Sequence, residues 1–236
     1  MKVQKKINQL EKIWTFKNKS VAHNFDSHVK KSVPLYELSH KHAIDISNFF
    51  LNKGSTCYDL GCSNGSLLRE IDKKYSKKKL DLIGVDDSTA MIKLAQKKSN
   101  NKIKFIKSSL EEFKFKKSDL FYSLYTLQFI TPGKRQKIYN NIYNSLNNAG
   151  GFILYEKIRS SNARFQDINN FLYFDFKYSN GLTKQEIINK EILLRGVLEP
   201  FTDKENLNFL KKAGFRKITT IFHYLNFDSN HKPYLK

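Results

Sequence analysis

From about residue 40 onward, short apolar runs alternate with stretches in which apolar residues recur at helical spacing. The helical stretches lie at about 65–74, 89–98 and 132–146, and Ser88 and Pro132 are typical helix-start residues. The apolar runs predict strands at Thr56–Leu60, Leu80–Asp86, Ile103–Lys107, Leu120–Leu124 and Phe152–Tyr155. Strands that alternate with helices form a parallel sheet with helices on both faces, so the pattern predicts a doubly wound α/β domain.

After residue 157 the pattern changes to two consecutive helical segments, at about 163–177 and 184–195, the second opened by the capping box of Thr183 and Glu186. A helix over Lys204–Ala213 follows. The last two strands, Lys217–Phe222 and Tyr224–Phe227, are too close in sequence to pair other than antiparallel. We interpret the chain as an N-terminal helical lid over residues 1–50 and a mostly parallel seven-stranded domain over 51–236, with a helical insertion at about 158–200.

Composition narrows the class of protein. The chain has 236 residues, 40% of them hydrophobic, and two cysteines, which is enough core material without disulfide bonds. No apolar stretch reaches the length of a membrane span, and the N-terminal segment lacks the apolar run of a signal peptide. We therefore expect a cytoplasmic protein that is not embedded in a membrane.

The net charge of +20 raises the question of nucleic-acid binding. Only six of the 42 basic residues are arginine, and the lysines are spread along the whole chain. A selected binding stripe would be clustered and richer in arginine, which contacts phosphate through two hydrogen bonds. The charge leaves direct nucleic-acid binding open but does not favour it.

The strongest local feature is the glycine-rich segment Tyr58-Asp-Leu-Gly61-Cys-Ser-Asn-Gly65, directly after the first strand. A turn of this kind lets the backbone approach a ligand closely, and Asp86, at the end of the next strand, can accept hydrogen bonds from a ribose diol. Together they predict an adenosine-containing ligand across the strand ends. Each has a plainer explanation: Gly61 and Gly65 could form an ordinary tight turn, and Asp86 could favour a helix start.

This arrangement resembles the class I S-adenosylmethionine-dependent methyltransferases, with their Rossmann-like sheet. Their first motif is an acidic residue, here Asp59, then an apolar residue and Gly-x-Gly-x-Gly, in which Ser63 replaces the middle glycine. The antiparallel strand pair at the end of the chain also fits their seven-stranded sheet. The resemblance implies S-adenosyl-L-methionine as the cofactor.

A narrower resemblance, to the carboxy-S-adenosyl-L-methionine synthases, covers about residues 14–227. The matching stretches are Trp14-Thr-Phe16, Lys31-Ser-Val-Pro-Leu-Tyr36, Tyr58-Asp-Leu-Gly-Cys-Ser63, Asp86-Asp-Ser-Thr-Ala-Met91, Thr126-Leu-Gln-Phe129 with Arg135-Gln136, Glu156-Lys157, Asp175-Phe-Lys177, Asn180-Gly181 and Lys212-Ala-Gly-Phe215. That family makes the donor for a wobble-uridine modification of tRNA, with prephenate as the carboxyl source. The resemblance also implies a homodimer.

The two resemblances together imply a set of cofactor-binding residues, three of which depart from the narrower family. Ser109 replaces an aspartate near the adenine, Leu124 replaces an asparagine, and Asp87 stands where the family usually has asparagine. The implied cofactor-binding residues are Tyr36, Asp59, Gly61, Cys62, Ser63, Gly65, Asp86, Asp87, Ser109, Leu110 and Leu124.

A further departure concerns the group that distinguishes the two cofactors. Glu191 aligns with the arginine that holds the extra carboxylate in the narrower family. Arg195 lies four residues later on the same predicted helix, where it could reach that carboxylate or the acceptor instead, or simply pair with Glu191. Because Glu191 has the wrong charge for this role, the sequence predicts tighter binding of S-adenosyl-L-methionine than of carboxy-S-adenosyl-L-methionine.

The sequence therefore predicts an S-adenosylmethionine-dependent transferase that acts on a small-molecule cofactor and an unidentified acceptor. Methyl transfer is the favoured reaction, carboxy-S-adenosyl-L-methionine synthesis is the alternative, and an RNA-associated protein without catalysis is a third hypothesis. The catalytic residue is left open, because the sulfonium is already activated and in-line transfer mainly needs alignment. Tyr155 and Glu156, after the fifth strand, are well placed to meet an acceptor, although Glu156 could equally be a partner for Lys157 or for a nearby helix end. The histidine spacing predicts no metal site.

Overall fold

The computed structural model describes residues 19–229. The first eighteen residues of the predicted lid, including Trp14, lie outside the described residues. The division of the chain into a lid over 1–50 and a domain over 51–236 therefore stays a prediction. Within the described range, no helix is long and apolar enough to cross a membrane.

The described strands form one seven-stranded sheet in the order β3-β2-β1-β4-β5-β7-β6. Strands β1 to β5 run parallel, and β7 pairs antiparallel with both β5 and β6. Their bounds are β1 Thr56–Leu60, β2 Asp81–Asp86, β3 Ile103–Lys107, β4 Ser118–Leu124, β5 Leu146–Lys157, β6 Phe222–Tyr224 and β7 Phe227–Ser229. The mostly parallel, doubly wound α/β class is confirmed.

The described helices begin and end largely where local signals predict. The Ser88 hydroxyl accepts a hydrogen bond from the Met91 N–H (3.4 Å), Thr183 and Glu186 form the predicted capping box, and Gly214 ends a helix at φ 115°. The helices are α1 Lys19–Ser32, α2 Tyr36–Ser47, α3 Ser66–Lys74, α4 Thr89–Lys98, α5 Pro132–Ser145, α6 Ala163–Ser179, α7 Lys184–Leu193 and α8 Asp203–Ala213.

Two apolar layers enclose the sheet, because successive strand residues point to opposite faces. On β4, Leu120 and Tyr122 pack with α2, α3 and α4, whereas Phe121 packs on the other face with α5 and α8. Ala43 and Ile44 of α2 belong to the first layer and are fully buried or nearly so. This packing fixes the carboxyl ends of β1, β2, β4 and β5 relative to α2.

The last two strands differ from the sequence prediction. Antiparallel pairing is present, but β6 and β7 are only three residues each and lie later in the chain than Lys217–Phe222 and Tyr224–Phe227. Ile218 is buried in the second apolar layer. The alternation before residue 222 therefore reflects packing against a helix layer and not pairing in the sheet.

Candidate functional site

A cavity of about 390 Å³ opens at the carboxyl ends of the parallel strands. Helices α1 and α2 cover it from one side, and residues of α6 and α7 contribute to another wall. Ten of the eleven predicted cofactor residues line it: Tyr36, Asp59, Gly61, Cys62, Ser63, Asp86, Asp87, Ser109, Leu110 and Leu124. The structure thus brings together residues that are up to 88 positions apart in sequence.

The glycine loop is held against β2 by its backbone. The N–H groups of Gly61 and Cys62 both donate to the carbonyl of Val85, at 2.8 and 3.1 Å. Gly61 has φ 76°, and a Cβ there would lie 2.3 Å from Oγ1 of Thr126. Only glycine fits this position, because a side chain meets both a disfavoured backbone angle and an occupied space.

The other two motif positions behave differently. Ser63 takes φ 48°, the left-handed conformation that a glycine at the motif's middle position would adopt more easily. Gly65, at φ 74°, does not line the cavity, and a Cβ there would lie 2.6 Å from the ring of Phe105. Its observed role is close packing at the start of α3. The proposed ligand contact of Gly65 stays a prediction.

Two carboxyl groups lie at the base of the cavity. Both oxygens of Asp86 accept backbone hydrogen bonds, from the N–H of Ser63 (2.9 Å) and the N–H of Ser88 (2.8 Å). Burial raises the pKa of Asp86 to about 6, despite these two bonds. Burial, with a smaller contribution from Asp86, raises the pKa of Asp59 to about 8. Asp86 therefore both lines the cavity and fixes the loop that carries Ser63.

Aromatic side chains form the wall below the lid helices. The ring of Tyr36 lies 4.3 Å from that of His40 and 6.3 Å from that of Tyr125, measured between centroids. The Tyr125 hydroxyl donates to Ser39 Oγ at 3.1 Å. Burial lowers the pKa of His40 to about 4, so this imidazole is neutral near pH 7. Through these contacts with Tyr125, the start of α2 packs against the end of β4.

Three lysines lie near one another at the other end of the cavity, and two of them, Lys157 and Lys177, lie over one aromatic ring. The Nζ atoms of Lys157 and Lys177 lie 4.6 and 4.1 Å from the centroid of Tyr173, and Lys157, Lys190 and Tyr173 all line the cavity. Lys190 Nζ contacts His28 Nε2 and donates to Ser32 Oγ (3.2 Å), and the Tyr173 hydroxyl donates to the Ser32 carbonyl (2.7 Å). The insertion thereby contacts α1.

The structure places Glu191 and Arg195 outside the lining of this cavity. Glu191 pairs with Lys177 at 2.8 Å, although its own side chain is 58% exposed. Hydrogen bonding and charge from Lys177 lower the pKa of Glu191 against the opposing effect of burial. Arg195 is exposed. The sequence predicts that the negative charge of Glu191 would repel a bound carboxylate, but Lys177 already balances that charge.

Glu156 and Tyr155 are likewise absent from the residues that line the cavity. Glu156 is buried and accepts the backbone N–H of Leu127 at 3.1 Å, at the short helical turn after β4. Tyr155 is fully buried, and its hydroxyl lies 3.2 Å from Nδ1 of His42. Contact of these two residues with an acceptor stays a prediction, whereas the hydrogen bond from Leu127 agrees with the other expectation for Glu156, a role at a nearby helix end.

Sequence reasoning missed Lys157, Lys190, Tyr173 and His28. Two features of the sequence could have pointed to them. Lys157 is the last residue of β5 and follows its buried residues directly, and Lys190 directly precedes Glu191, which replaces an arginine of the family. Neither signal shows that the side chains converge, because they lie on β5, α6, α7 and α1. Among residues 19–229, no group of three or more histidine, cysteine or acidic residues could hold a metal ion.

Comparison with known proteins agrees with this geometry. A family described as "Methyltransferase domain" matches residues 57–150. Carboxy-S-adenosyl-L-methionine synthase from Staphylococcus epidermidis is 40% identical over 215 residues, covering 91% of this chain and 94% of that protein. The synthase from Nautilia profundicola is 40% identical over 221 residues, covering 92% and 93%.

Solved structures show the same fold at lower identity. The plantazolicin methyltransferase BpumL, in complex with a monoazolic desmethylPZN analog and SAH, matches with a TM-score of 0.61 and 18% identity over 95% of this chain and 85% of that chain. Human N-acetylserotonin methyltransferase in complex with SAM matches with a TM-score of 0.58 and 17% identity over 87% and 56%.

The fold, the cavity and these comparisons define an S-adenosylmethionine-dependent transferase with a class I methyltransferase fold, acting on a small-molecule cofactor and an acceptor. Within that class, the sequence identity to the relatives and the share of the chain that they match identify the family. This chain belongs to the carboxy-S-adenosyl-L-methionine synthase family.

Proposed function

We propose that this protein makes carboxy-S-adenosyl-L-methionine from S-adenosyl-L-methionine and a carboxyl donor. The observation that carries the proposal is the pair of lysines, Lys157 and Lys190, that line the cavity at the end away from Asp86. An extra carboxylate on the ligand would meet ammonium groups there, not the carboxylate of Glu191. This geometry favours the alternative reaction over simple methyl transfer.

The two ends of the cavity are set by strands that are not neighbours in the sheet. Asp86 ends β2 and Lys157 ends β5, and these strands are three places apart in the sheet. At roughly 4.8 Å per strand, the two ends are about 14 Å apart. We propose that the ribose diol binds Asp86 and that the adenine lies beside Ser109 and Leu110. The methionine part then crosses Gly61 towards Lys157.

The proposed cofactor contacts fit what the residues offer. Gly61 has no side chain, so its backbone is open to contact with the ligand. The ionised carboxylate of Asp86 can accept hydrogen bonds from hydroxyl groups. Burial raises the pKa of the Cys62 thiol, which therefore stays protonated and contributes packing and backbone. We propose that Tyr36, Asp59, Ser63, Asp87 and Leu124 also contact the cofactor and hold it in position.

A direct assay tests the reaction. The purified protein is incubated with S-adenosyl-L-methionine and prephenate, the carboxyl donor that the family resemblance implies, and the products are analysed by mass spectrometry. We expect a cofactor product that is heavier by one carboxyl group and that appears only when both substrates are present. S-adenosylhomocysteine, the product of methyl transfer, should not accumulate.

Two controls make this result decisive. Asp86→Asn should reduce product formation, whereas Asp81→Asn, on the same strand but outside the cavity lining, should leave it unchanged. Accumulation of S-adenosylhomocysteine without a carboxylated product would overturn the proposal in favour of methyl transfer. A folded protein that makes neither product would overturn both reactions.

The exposed apolar residues of α6 favour the homodimer that the resemblance implies. Phe165, Ile168, Phe171 and Leu172 recur at helical spacing, and Phe171 is 74% exposed. We propose that two chains associate through this face. Phe171→Glu should shift the mass measured by light scattering from dimer to monomer, and Phe49→Glu, at an 84% exposed site elsewhere, should not. A native protein that is monomeric at micromolar concentration would refute this.

A cytoplasmic location and a role of the product in tRNA modification are proposals of the same kind, because they follow from the family resemblance. Neither requires that the protein itself bind RNA.

A further inference from the structure

Helix α1 covers the cavity and is joined to α2 by a short connection. Phe25, Val29 and Ser32 of α1 line the cavity. The connection, residues 33–35, follows directly, and Leu35 takes the left-handed conformation at φ 54°. A rigid helix that is joined to its neighbour at one end opens by rotation about that end. The half of α1 that carries Phe25 would therefore move furthest.

Asp26 connects this half of α1 to the cofactor side of the sheet. Its Oδ1 accepts a hydrogen bond from Asn64 Nδ2 at 2.6 Å, and its Oδ2 lies 3.5 Å from Nζ of Lys98 on α4. Since a helix rises about 1.5 Å per residue, Asp26 lies about 10 Å from Val33, where the connection begins. Contacts of Asp26 therefore oppose the rotation at a distance from the hinge.

Asn64 belongs to the glycine loop, and other groups of the protein hold it in place. It is 1% exposed, its Oδ1 accepts from the Ser66 N–H (3.2 Å), and its carbonyl accepts from Arg69 Nη1 (2.5 Å). The preceding residue, Ser63, lines the cavity and donates its N–H to Asp86. A displacement of Asn64 would therefore reach both Ser63 and Asp86.

The hydrogen bond between Asp26 and Asn64 joins a carboxylate to a buried amide. Bonds of this kind are shorter and stronger than those between neutral groups. The contact between Asp26 and Lys98 is different, because the two side chains are 45% and 40% exposed and exposed ion pairs contribute little. Closure of α1 should therefore depend on Asn64 more than on Lys98.

We propose that Asp26 and Asn64 form a latch, which holds α1 closed over the bound cofactor and couples that closure to the glycine loop. Asn64 is a positioning residue, because it acts on the cofactor through Ser63 and through α1. The inference rests on the proposed placement of the cofactor in this cavity and not on which group is transferred. Breaking the latch should weaken cofactor binding and speed cofactor release.

The substitution Asn64→Asp removes the donor of the latch and hardly changes the shape of the side chain. The new carboxylate still accepts from the Ser66 N–H, but it repels Asp26. We expect S-adenosyl-L-methionine to bind about tenfold or more weakly in calorimetric titration. Tritium-labelled S-adenosyl-L-methionine should leave faster by a similar factor when excess unlabelled ligand is added. The added negative charge by itself would favour the cationic sulfonium, so charge alone predicts the opposite change.

Two further variants separate the latch from a general effect on the loop. Asp26→Asn combined with Asn64→Asp exchanges donor and acceptor and keeps the native net charge, so affinity and release rate should return to within about threefold of native. Asn100→Asp is the matched control. Asn100 donates to Asp72 at 2.9 Å and accepts from the Lys102 N–H at 3.1 Å, but it is exposed and outside the cavity lining. This variant should bind the ligand as the native protein does.

Hydrogen exchange measures the closure of α1 directly. S-adenosyl-L-methionine should slow the exchange of the amide hydrogens of residues 25–32 in the native protein and in the double variant. In Asn64→Asp the ligand should slow this exchange much less, even at a concentration that saturates binding. Circular dichroism and urea unfolding check that each variant is folded.

The outcomes distinguish the latch from the proposed function. A folded Asn64→Asp variant with native affinity and release rate overturns the latch, and so does a folded double variant that binds no better than Asn64→Asp. Loss of affinity in Asp86→Asn but not in Asn64→Asp overturns the latch and leaves the cofactor placement intact. Native affinity in both variants overturns the placement as well. Methyl transfer by a protein whose variants behave as expected supports the latch and overturns the proposed function.

Discussion

The packing of the glycine loop can be tested by placing the same methyl group at three glycines. Gly133→Ala adds it to a helix at a position with no atom within 4 Å of the new Cβ. Gly54→Ala adds it at φ 79°, again with nothing within 4 Å. Gly61→Ala adds it at φ 76° and 2.3 Å from Thr126 Oγ1. The series therefore separates backbone strain from steric overlap.

The expected free energies of unfolding follow from these differences. Gly133→Ala should stabilise the protein by about 0.5–1 kcal/mol, because alanine loses less backbone freedom on folding. Gly54→Ala should destabilise it by about 1–2 kcal/mol, the cost of a left-handed residue. Gly61→Ala should lose about 2–5 kcal/mol, since overpacking adds about 1–3 kcal/mol to that strain.

Urea unfolding monitored by circular dichroism measures all three, provided that the dependence on denaturant concentration stays the same. Adding Thr126→Ala to Gly61→Ala removes two of the three overlapping atoms and should restore part of the stability. If Gly61→Ala costs no more than Gly54→Ala, Thr126 moves away at no cost, and the steric account of this loop is wrong.

Three further changes test the site. Ser63→Gly should raise the free energy of unfolding by about 0.5–1 kcal/mol, because it relieves a left-handed serine, and a loss measured in urea would contradict this. Asp86→Asn should weaken cofactor binding about 10- to 150-fold in calorimetry, and the native affinity should fall as the pH drops through about 6, where Asp86 is protonated. The pKa of Lys190 is lowered to about 7 in the folded protein. Above that pH the unfolded chain binds more protons at this lysine than the folded protein does, so the free energy of unfolding without ligand should rise from pH 7 towards 10. Lys190→Met should lack that share of the rise, and identical pH profiles would refute it.

The parts of the fold that depend on short-range signals were predictable. Strands β1 and β3 and helix α4 have the predicted bounds, because short apolar runs mark the two strands and the Ser88 cap marks the start of the helix. The final strands were misplaced, because three-residue strands give little alternation and Ile218 is buried for another reason. Local sequence cannot distinguish burial against a helix from burial in a sheet.

The part of the cavity that a single motif forms was predictable, whereas the part where several elements meet was not. The loop around Gly61 and the carboxylate of Asp86 follow from neighbouring strand ends, and both line the cavity. The partner of Glu191 is Lys177, on a different helix, whereas the sequence suggested Arg195 at helical spacing. The sign of the charge facing the ligand depends on this tertiary contact, so the aligned position alone gave the opposite expectation.

Helix α6 has a consequence for local opening of the fold. All residues of α6 are described, and Lys177 is the buried one, while much of the apolar surface of the helix faces outward. In a single chain, the helix is therefore held by the Lys177–Glu191 ion pair and the ring of Tyr173 more than by core packing. Because salt screens such contacts, the amide hydrogens of α6 should exchange faster as ionic strength rises, while those of β1 and β4 hardly change. One wall of the cavity would then loosen without the sheet unfolding.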